Sequence, residues 1–198
     1  MKSDIILSGV GGQGILSIAA TIGMAALENN LFLKQSEVHG MSQRGGAVQS
    51  HLRISQSEIA SDLIPLGKAD LIISVEPMES LRYLPWLSEN GWLVTNTTPF
   101  VNITDYPDMK DLLAEIEKLP NHIAINADEI ARKVKSSRSS NIIMLGASSP
   151  FLDLPYESLE TGIEKIFGRK GVKVVQLNID ALKAGREFAI EKSSVEYR

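Results

Sequence analysis

The stretch Asp4-Ile5-Ile6-Leu7-Ser8-Gly9-Val10-Gly11-Gly12-Gln13-Gly14-Ile15-Leu16 decides how this chain is read. Ile5-Ile6-Leu7 is a short apolar run bounded by Asp4 and Gly9, the pattern of a buried strand. Gly9 to Gly14 follows as a glycine turn that matches G-x-G-x-x-G. From Ile15 to Glu28 the apolar residues Ile15, Leu16, Ile18, Ala19, Ile22, Met24 and Leu27 cover most of a helix's circumference. That predicts a well-buried helix, ended by Asn29-Asn30. Glycine lets a chain turn tightly and lets backbone approach a ligand with no Cβ in the way. A helix N-terminus adds free N–H groups and roughly half a positive charge. Such a loop suits a pyrophosphate. The glycines would equally permit close strand–helix packing, and the motif alone leaves both readings open.

Outward from this unit, strands and helices alternate. Leu31 to Val38 can form a second strand. Ala47 to Ile54 alternates, with Val48, Ser50, Leu52 and Ile54 on one face and Gln49, His51 and Arg53 on the other, as in a half-exposed strand. Leu71 to Val75 is the clearest buried strand, and Pro77 opens a helix expected to reach about Ser88. Asn90-Gly91 reads as a turn before a strand from Trp92 to Thr95. An amphipathic helix from Asp108 to Leu119, a strand from His122 to Asn126 and helices at Asp128–Val134, Asn141–Leu145, Tyr156–Phe167 and Asp180–Glu191 complete the pattern. The expected fold is α/β: a mainly parallel, or mixed, twisted sheet with helices on both faces and a Rossmann-like glycine loop after the first strand. Residues 1–192 read as a single domain and 193–198 as a charged C-terminal tail. Lys133 to Ser140, rich in Ser, Lys and Arg, reads as an exposed loop or a mobile hinge.

Composition narrows the function classes. The apolar fraction of 43% over 198 residues supports an ordinary globular core. A net charge of −4 argues against a general nucleic-acid binder. There is no cysteine, which removes disulfides, thiolate nucleophiles and Cys-ligated zinc or iron–sulfur clusters. The apolar run after Met1-Lys2-Ser3-Asp4 is too short for a signal-peptide core or a membrane span, so a cytoplasmic, membrane-free protein is expected.

Glu37-Val38-His39-Gly40-Met41-Ser42-Gln43-Arg44-Gly45-Gly46 packs an acid, an imidazole, a hydroxyl, an amide and a guanidinium among three glycines. Arg44 could make bidentate bonds to a phosphate or carboxylate, with Ser42 and Gln43 orienting the same ligand. The structural alternative pairs Arg44 with Glu37 and lets His39 cap a carbonyl. A dinucleotide fold needs an acid about 20 residues beyond the glycines to hold a ribose, and Glu37 is the only candidate. The segment after it is not a short turn into a second helix, which weakens that reading. His51 on an exposed strand face and His122 at a strand start read as structural.

Together the two loops resemble those of the gamma-type subunit family of 2-oxoacid:ferredoxin oxidoreductases. Ala69-Asp70-Leu71-Ile72-Ile73-Ser74-Val75-Glu76-Pro77 and Asn141-Ile142-Ile143-Met144-Leu145-Gly146-Ala147 fit the same pattern, so the likeness spans about residues 4 to 190. The resemblance is strongest to the two-subunit enzymes that act on indolepyruvate and other arylpyruvates. It implies a share in a larger reaction, in which a 2-oxoacid is decarboxylated on thiamine diphosphate, electrons pass to ferredoxin and coenzyme A takes the acyl group. Thiamine diphosphate, Mg and 4Fe-4S clusters would sit on a larger partner subunit, with coenzyme A as co-substrate and no cofactor held stably by this chain. No Gly-Asp-Gly motif followed by an Asn pair, as thiamine diphosphate would require, stands in the sequence. On this resemblance Gly11, Gly12, Gln13 and Gly14 would line an anion site or the interface near the active centre. Ser42, Gln43, Arg44, Gly45 and Gly46 would face the thiamine-bearing partner or the substrate side. The isolated chain could still form a homodimer. Two other classes compete: a free-standing NAD- or FAD-binding oxidoreductase, and a binding module in which the glycine loop serves packing alone.

Overall fold

Lys2 to Val10 form β1, and every residue from Ser3 onward in it is buried in the computed structural model, which describes residues 1–40 and 45–193. The apolar triplet Ile5, Ile6 and Leu7 is fully buried because both faces of this central strand are covered. β2 (Phe32–His39), β3 (Ala47–Ser55), β4 (Ala69–Ser74), β5 (Leu87–Asn96) and β6 (His122–Ile125) complete a six-stranded sheet in the order β2-β3-β1-β4-β5-β6. β1, β4, β5 and β6 run parallel, while β3 pairs antiparallel with both β1 and β2. The sheet is therefore mixed, and β2–β3 is a hairpin whose tip is the second glycine-rich loop.

The larger core lies on one face, where α1 (Ile15–Glu28), α4 (Ala127–Lys133), α5 (Ser140–Ser148), α6 (Tyr156–Phe167) and α7 (Val172–Lys192) cover Ile5, Leu7, Leu52, Ile73 and Val94. The smaller core, with Ile6, Ile72 and Leu93, is closed by Tyr83 after α2 (Pro77–Arg82), by Ile116 of α3 (Met109–Glu117) and by Ile64. Two buried glycines set how closely helices meet. A Cβ on Gly146 of α5 would stand 2.0 Å from the Leu182 carbonyl oxygen, and one on Gly185 of α7 would stand 2.1 Å from that of Ile143.

Several sequence expectations are corrected. Leu16 and Leu27 are each 55% exposed, because α1 is covered from one side rather than all round. His51 is buried, not exposed: residues after β3 fold back over it, and its Nδ1 accepts from the Ile64 N–H at 3.0 Å while Trp86 meets its ring edge-on. The helix opened by Pro77 stops at Arg82, and Asn90-Gly91 lies inside β5 rather than in a turn. The register of β4 against β5 shifts there, and a Cβ on Gly91 would come within 2.8 Å of the Ala69 carbonyl. In Lys133 to Ser140 the exposed loop carries two buried residues: Ser136 and Ser139 are bonded to one another at 2.6 Å, and Ser139 donates to Asn178 of α7 at 3.1 Å, while Lys133, Lys135, Ser137 and Arg138 are exposed as expected. The last helix begins at Val172, earlier than Asp180. Tail residues 194–198 lie outside the described residues.

Asp4 anchors the far end of β1. Burial pushes its carboxyl up, but Arg53 at 2.7 Å and Lys2 at 2.8 Å outweigh that and hold it below its ordinary range. Arg53 also donates to the carbonyls of Ser61 and Leu63, fixing the chain that covers His51.

Candidate functional site

The C-terminal ends of β1, β4, β5 and β6 share one edge of the sheet, where open α/β sheets place their ligands. The first glycine loop sits there. Gln13 turns back on the strand: its Oε1 accepts from the Val10 N–H at 2.7 Å and its amide donates to the Val75 carbonyl at 3.4 Å. This side chain braces the turn against β4, an internal task that the sequence did not disclose. A Cβ on Gly9 would stand 2.3 Å from Val75 Cγ2. Gly14, at φ 81°, precedes α1, and its carbonyl accepts from Asn141 of α5 at 3.1 Å. A Cβ there would stand 2.6 Å from the same amide nitrogen. These two glycines serve close packing. Gly12 differs: at φ 101° it is exposed and has nothing within 4 Å of where a Cβ would be. It presents bare backbone outward, beside an α1 N-terminus that no side chain caps.

The second loop meets the first. Gly11 N–H donates to the Gly46 carbonyl at 2.9 Å, and Gly45 N–H points back to the Gly11 carbonyl at 3.5 Å. Gly45 takes φ 82°, which favours glycine. Met41, Ser42, Gln43 and Arg44 lie outside the described residues. The alternative that pairs Arg44 with Glu37 therefore also falls outside the described residues, while at the loop end of β2 Glu37 pairs with His39. Both line a cleft of about 290 Å³ beside Gly11, Ile15, Leu16 and Val48. On the other side of the glycine loop a larger cleft of about 640 Å³ is lined by Gly12, Ser17, Arg138, Asn141, Lys170 and Asn178. Two cations and several amide and hydroxyl groups there face the uncapped helix start, a setting able to receive an anion.

A third segment reaches this edge, and sequence reasoning missed it. Residues 97–108, between β5 and α3, form a strap fastened to Glu76, a fully buried residue at the end of β4. One carboxyl oxygen of Glu76 accepts from the Phe100 N–H at 3.2 Å and from the Tyr106 hydroxyl; the other accepts from the Glu79 N–H at 2.8 Å and caps α2. Burial, then this hydrogen bond, raise the Tyr106 phenol well above its ordinary range. The strap returns to the second loop, where Asn102 donates to the Gly45 carbonyl. Phe100, Val101 and Ile103 are left 40–66% exposed on it. From the sequence Glu76, at the end of the clearest buried strand, could either lie near the site or cap the helix that Pro77 opens; it does cap α2, and nothing periodic marks its partners on the strap. Three loops therefore converge on one apolar and glycine-rich surface.

A glycine loop, a second loop hydrogen-bonded to it and a mixed six-stranded sheet define an α/β fold with a loop-built surface at one end of its strands, and the comparisons say which family carries it. Residues 4–188 match the family model described as pyruvate ferredoxin/flavodoxin oxidoreductase. The indolepyruvate oxidoreductase subunit IorB of Archaeoglobus fulgidus is 36% identical over 197 residues, covering 96% of each chain. Among solved structures, the gamma subunit of a keto/oxoacid ferredoxin oxidoreductase from Geobacter sulfurreducens matches 96% of this chain and 99% of its own, with a TM-score of 0.70 and 25% identity. The 2-oxoglutarate:ferredoxin oxidoreductase of Magnetococcus marinus, solved with 2-oxoglutarate, coenzyme A and succinyl-CoA bound, shares the fold at a TM-score of 0.77 and 21% identity. This chain covers 98% of itself there but only 32% of that longer chain, so the same fold also occurs fused to other domains. The chain belongs to the pyruvate ferredoxin/flavodoxin oxidoreductase family.

Proposed function

We propose that this chain is the cofactor-free subunit of a cytoplasmic 2-oxoacid:ferredoxin oxidoreductase that acts on indolepyruvate or another arylpyruvate. The observation that carries the reading is end-to-end likeness, at 36% identity, to a protein named as an indolepyruvate oxidoreductase subunit. With no cysteine the chain has no thiolate for an iron–sulfur cluster, so electron transfer to ferredoxin falls to a larger partner. Thiamine diphosphate, when bound on that partner, supplies the carbanion chemistry of decarboxylation. The products are an acyl-CoA, CO₂ and reduced ferredoxin. This chain's share is to bind, shield and position. Gly11, Gly12, Gln13 and Gly14 stand beside an uncapped helix start, which suits the phosphates of coenzyme A. Ser42, Gln43 and Arg44, with Gly45 and Gly46, belong to the loop that faces the partner or the substrate. The strap's Phe100, Val101 and Ile103 add apolar surface for the larger subunit to cover.

Reconstitution tests this assignment. The larger subunit together with this chain is expected to reduce ferredoxin on addition of indolepyruvate and coenzyme A, and neither is expected to do so alone. In the same assembly Arg44→Ala should weaken an anionic ligand by about 1.5–3 kcal/mol, the range for a hydrogen bond to a charged group. Full activity of the larger subunit alone would refute the assignment. Unchanged KM values for both substrates in the Arg44→Ala assembly would remove the role of Arg44. Tight NAD or FAD binding by the isolated chain, with Glu37 on the ribose, would favour the free-standing oxidoreductase instead.

A further inference from the structure

β2 is an edge strand, and among the described residues its only strand partner is β3. An edge strand of eight residues is a ready template for another strand, and proteins usually guard such edges with lysines, prolines or bulges. β2 has no proline, and its register with β3 is regular from Phe32 to His39. Its one lysine, Lys34, is exposed, but its Nζ is held by donation to the Ala60 carbonyl at 3.3 Å. The large apolar side chains exposed at this edge are Phe32, 49% exposed, and Val38, 58% exposed.

The placement of these two residues is specific. Phe32, Lys34, Ser36 and Val38 lie on one face of the sheet, opposite Ser55, Arg53, His51 and Gln49 of β3. When two copies of a strand pair antiparallel about a two-fold axis, directly opposed residues lie on the same face. The axis must then pass through a residue, not between two. Gln35 is that residue: Phe32 lies three positions before it and Val38 three after. Pairing about Gln35 sets Phe32 against Val38 of the second copy, twice, and Lys34 against Ser36. Moving the axis to Ser36 sets Lys34 against Val38 and leaves Phe32 without an apolar partner. We propose that two copies of this chain associate through β2, antiparallel and centred on Gln35, to form a continuous twelve-stranded sheet (six strands from each copy). The hairpin tip begins at Gly40, five residues beyond Gln35 and hence about 17 Å along the strand. The two tips point to opposite ends of the dimer, so each second loop stays free for its own partner. This pairing is independent of the reaction assigned above.

The chain has no cysteine, so a single introduced thiol reports unambiguously. Directly opposed Cα atoms in an antiparallel pair lie about 4.5–5.5 Å apart, within disulfide range. Oxidising the full-length Gln35→Cys chain is expected to give a disulfide-linked dimer in high yield, while Lys110→Cys, on exposed α3, gives none. In sedimentation of the cysteine-free chain, Val38→Lys is expected to raise the dimer dissociation constant by about tenfold or more. All three substituted positions are exposed, so folding survives. Sedimentation of the unsubstituted chain as a monomer at high concentration would overturn the proposal. So would Gln35→Cys crosslinking no better than Lys110→Cys, or crosslinking only to a different, larger chain.

Discussion

Replacing Glu76 by Ala is expected to release the strap over residues 97–108 and to cost about 3 kcal/mol of stability. The estimate follows from three donors that lose their acceptor together: the N–H groups of Phe100 and Glu79 and the Tyr106 hydroxyl. Each orphaned donor costs about 1 kcal/mol, at the low end where water can reach it. The effect is local before it is global. Amide protection at Phe100 should fall steeply, while that of Ile5 to Leu7 in β1 stays high. Glu76→Gln keeps one acceptor oxygen toward Phe100 and Tyr106 but turns an amide toward the Glu79 N–H. It should fall between the parent and Glu76→Ala. If the strap presents Phe100, Val101 and Ile103 to a larger subunit, assembly with that subunit weakens in the same order. A Glu76→Ala chain with unchanged melting temperature and unchanged exchange at Phe100 would show that Glu76 does not hold the strap.

Gly146→Ala is expected to be comparably damaging for a different reason. Its new methyl group would lie 2.0 Å from the backbone oxygen of Leu182, which no side-chain rotation relieves. α5 and α7 would have to move apart, at a cost of about 3 kcal/mol for overpacking. For a chain of this size that lowers the melting temperature by roughly 6–12 °C. Gly185→Ala should do much the same, its methyl lying 2.1 Å from the Ile143 oxygen. The two substitutions should be less than additive, because helices already separated by one methyl have room for the other. Thermal unfolding of both single variants and the double variant checks this. Fully additive losses would mean that each glycine is required at its own site and not by a shared helix separation.

Much of the fold could be read from the sequence where one pattern decided alone. α1 and α6 run from Ile15 to Glu28 and from Tyr156 to Phe167 as periodicity predicted, and β1 and β4 contain the apolar runs that announced them. The misreadings arose where tertiary contacts overrode local pattern. Asn90-Gly91 resembles a turn, yet Gly91 sits in β5 because only a residue without a Cβ fits beside the Ala69 carbonyl. The alternation of β3 put His51 outside, but residues beyond β3 fold over that face and supply a hydrogen bond that makes its burial tolerable. Polar positions such as Lys173 and Gln176 hid the first turns of α7, whose exposed side is simply broader than a short window reveals.

The candidate site was legible as two loops but not as one surface. Spacing along the chain carries no sign that Gly11 would bond to Gly46, or that Asn102 would bond to Gly45. Nor does a G-x-G-x-x-G motif say which glycine serves packing and which faces out. That division, with Gly9 and Gly14 inside and Gly12 outside, needed neighbours 60 and more residues away, among them Val75 and Asn141. Arg138 and Lys170 are brought to the glycine loop in the same way, from either side of α5 and α6.

The central claim is that this chain works only as part of a larger enzyme. Its most direct test is anaerobic capture of the tagged chain from the cells that make it, followed by assay of the eluate for indolepyruvate-dependent ferredoxin reduction. The predicted result is a larger, cysteine-rich companion and activity that requires thiamine diphosphate and coenzyme A. Recovery of the chain without any companion, with a tightly bound dinucleotide in its place, would contradict the account.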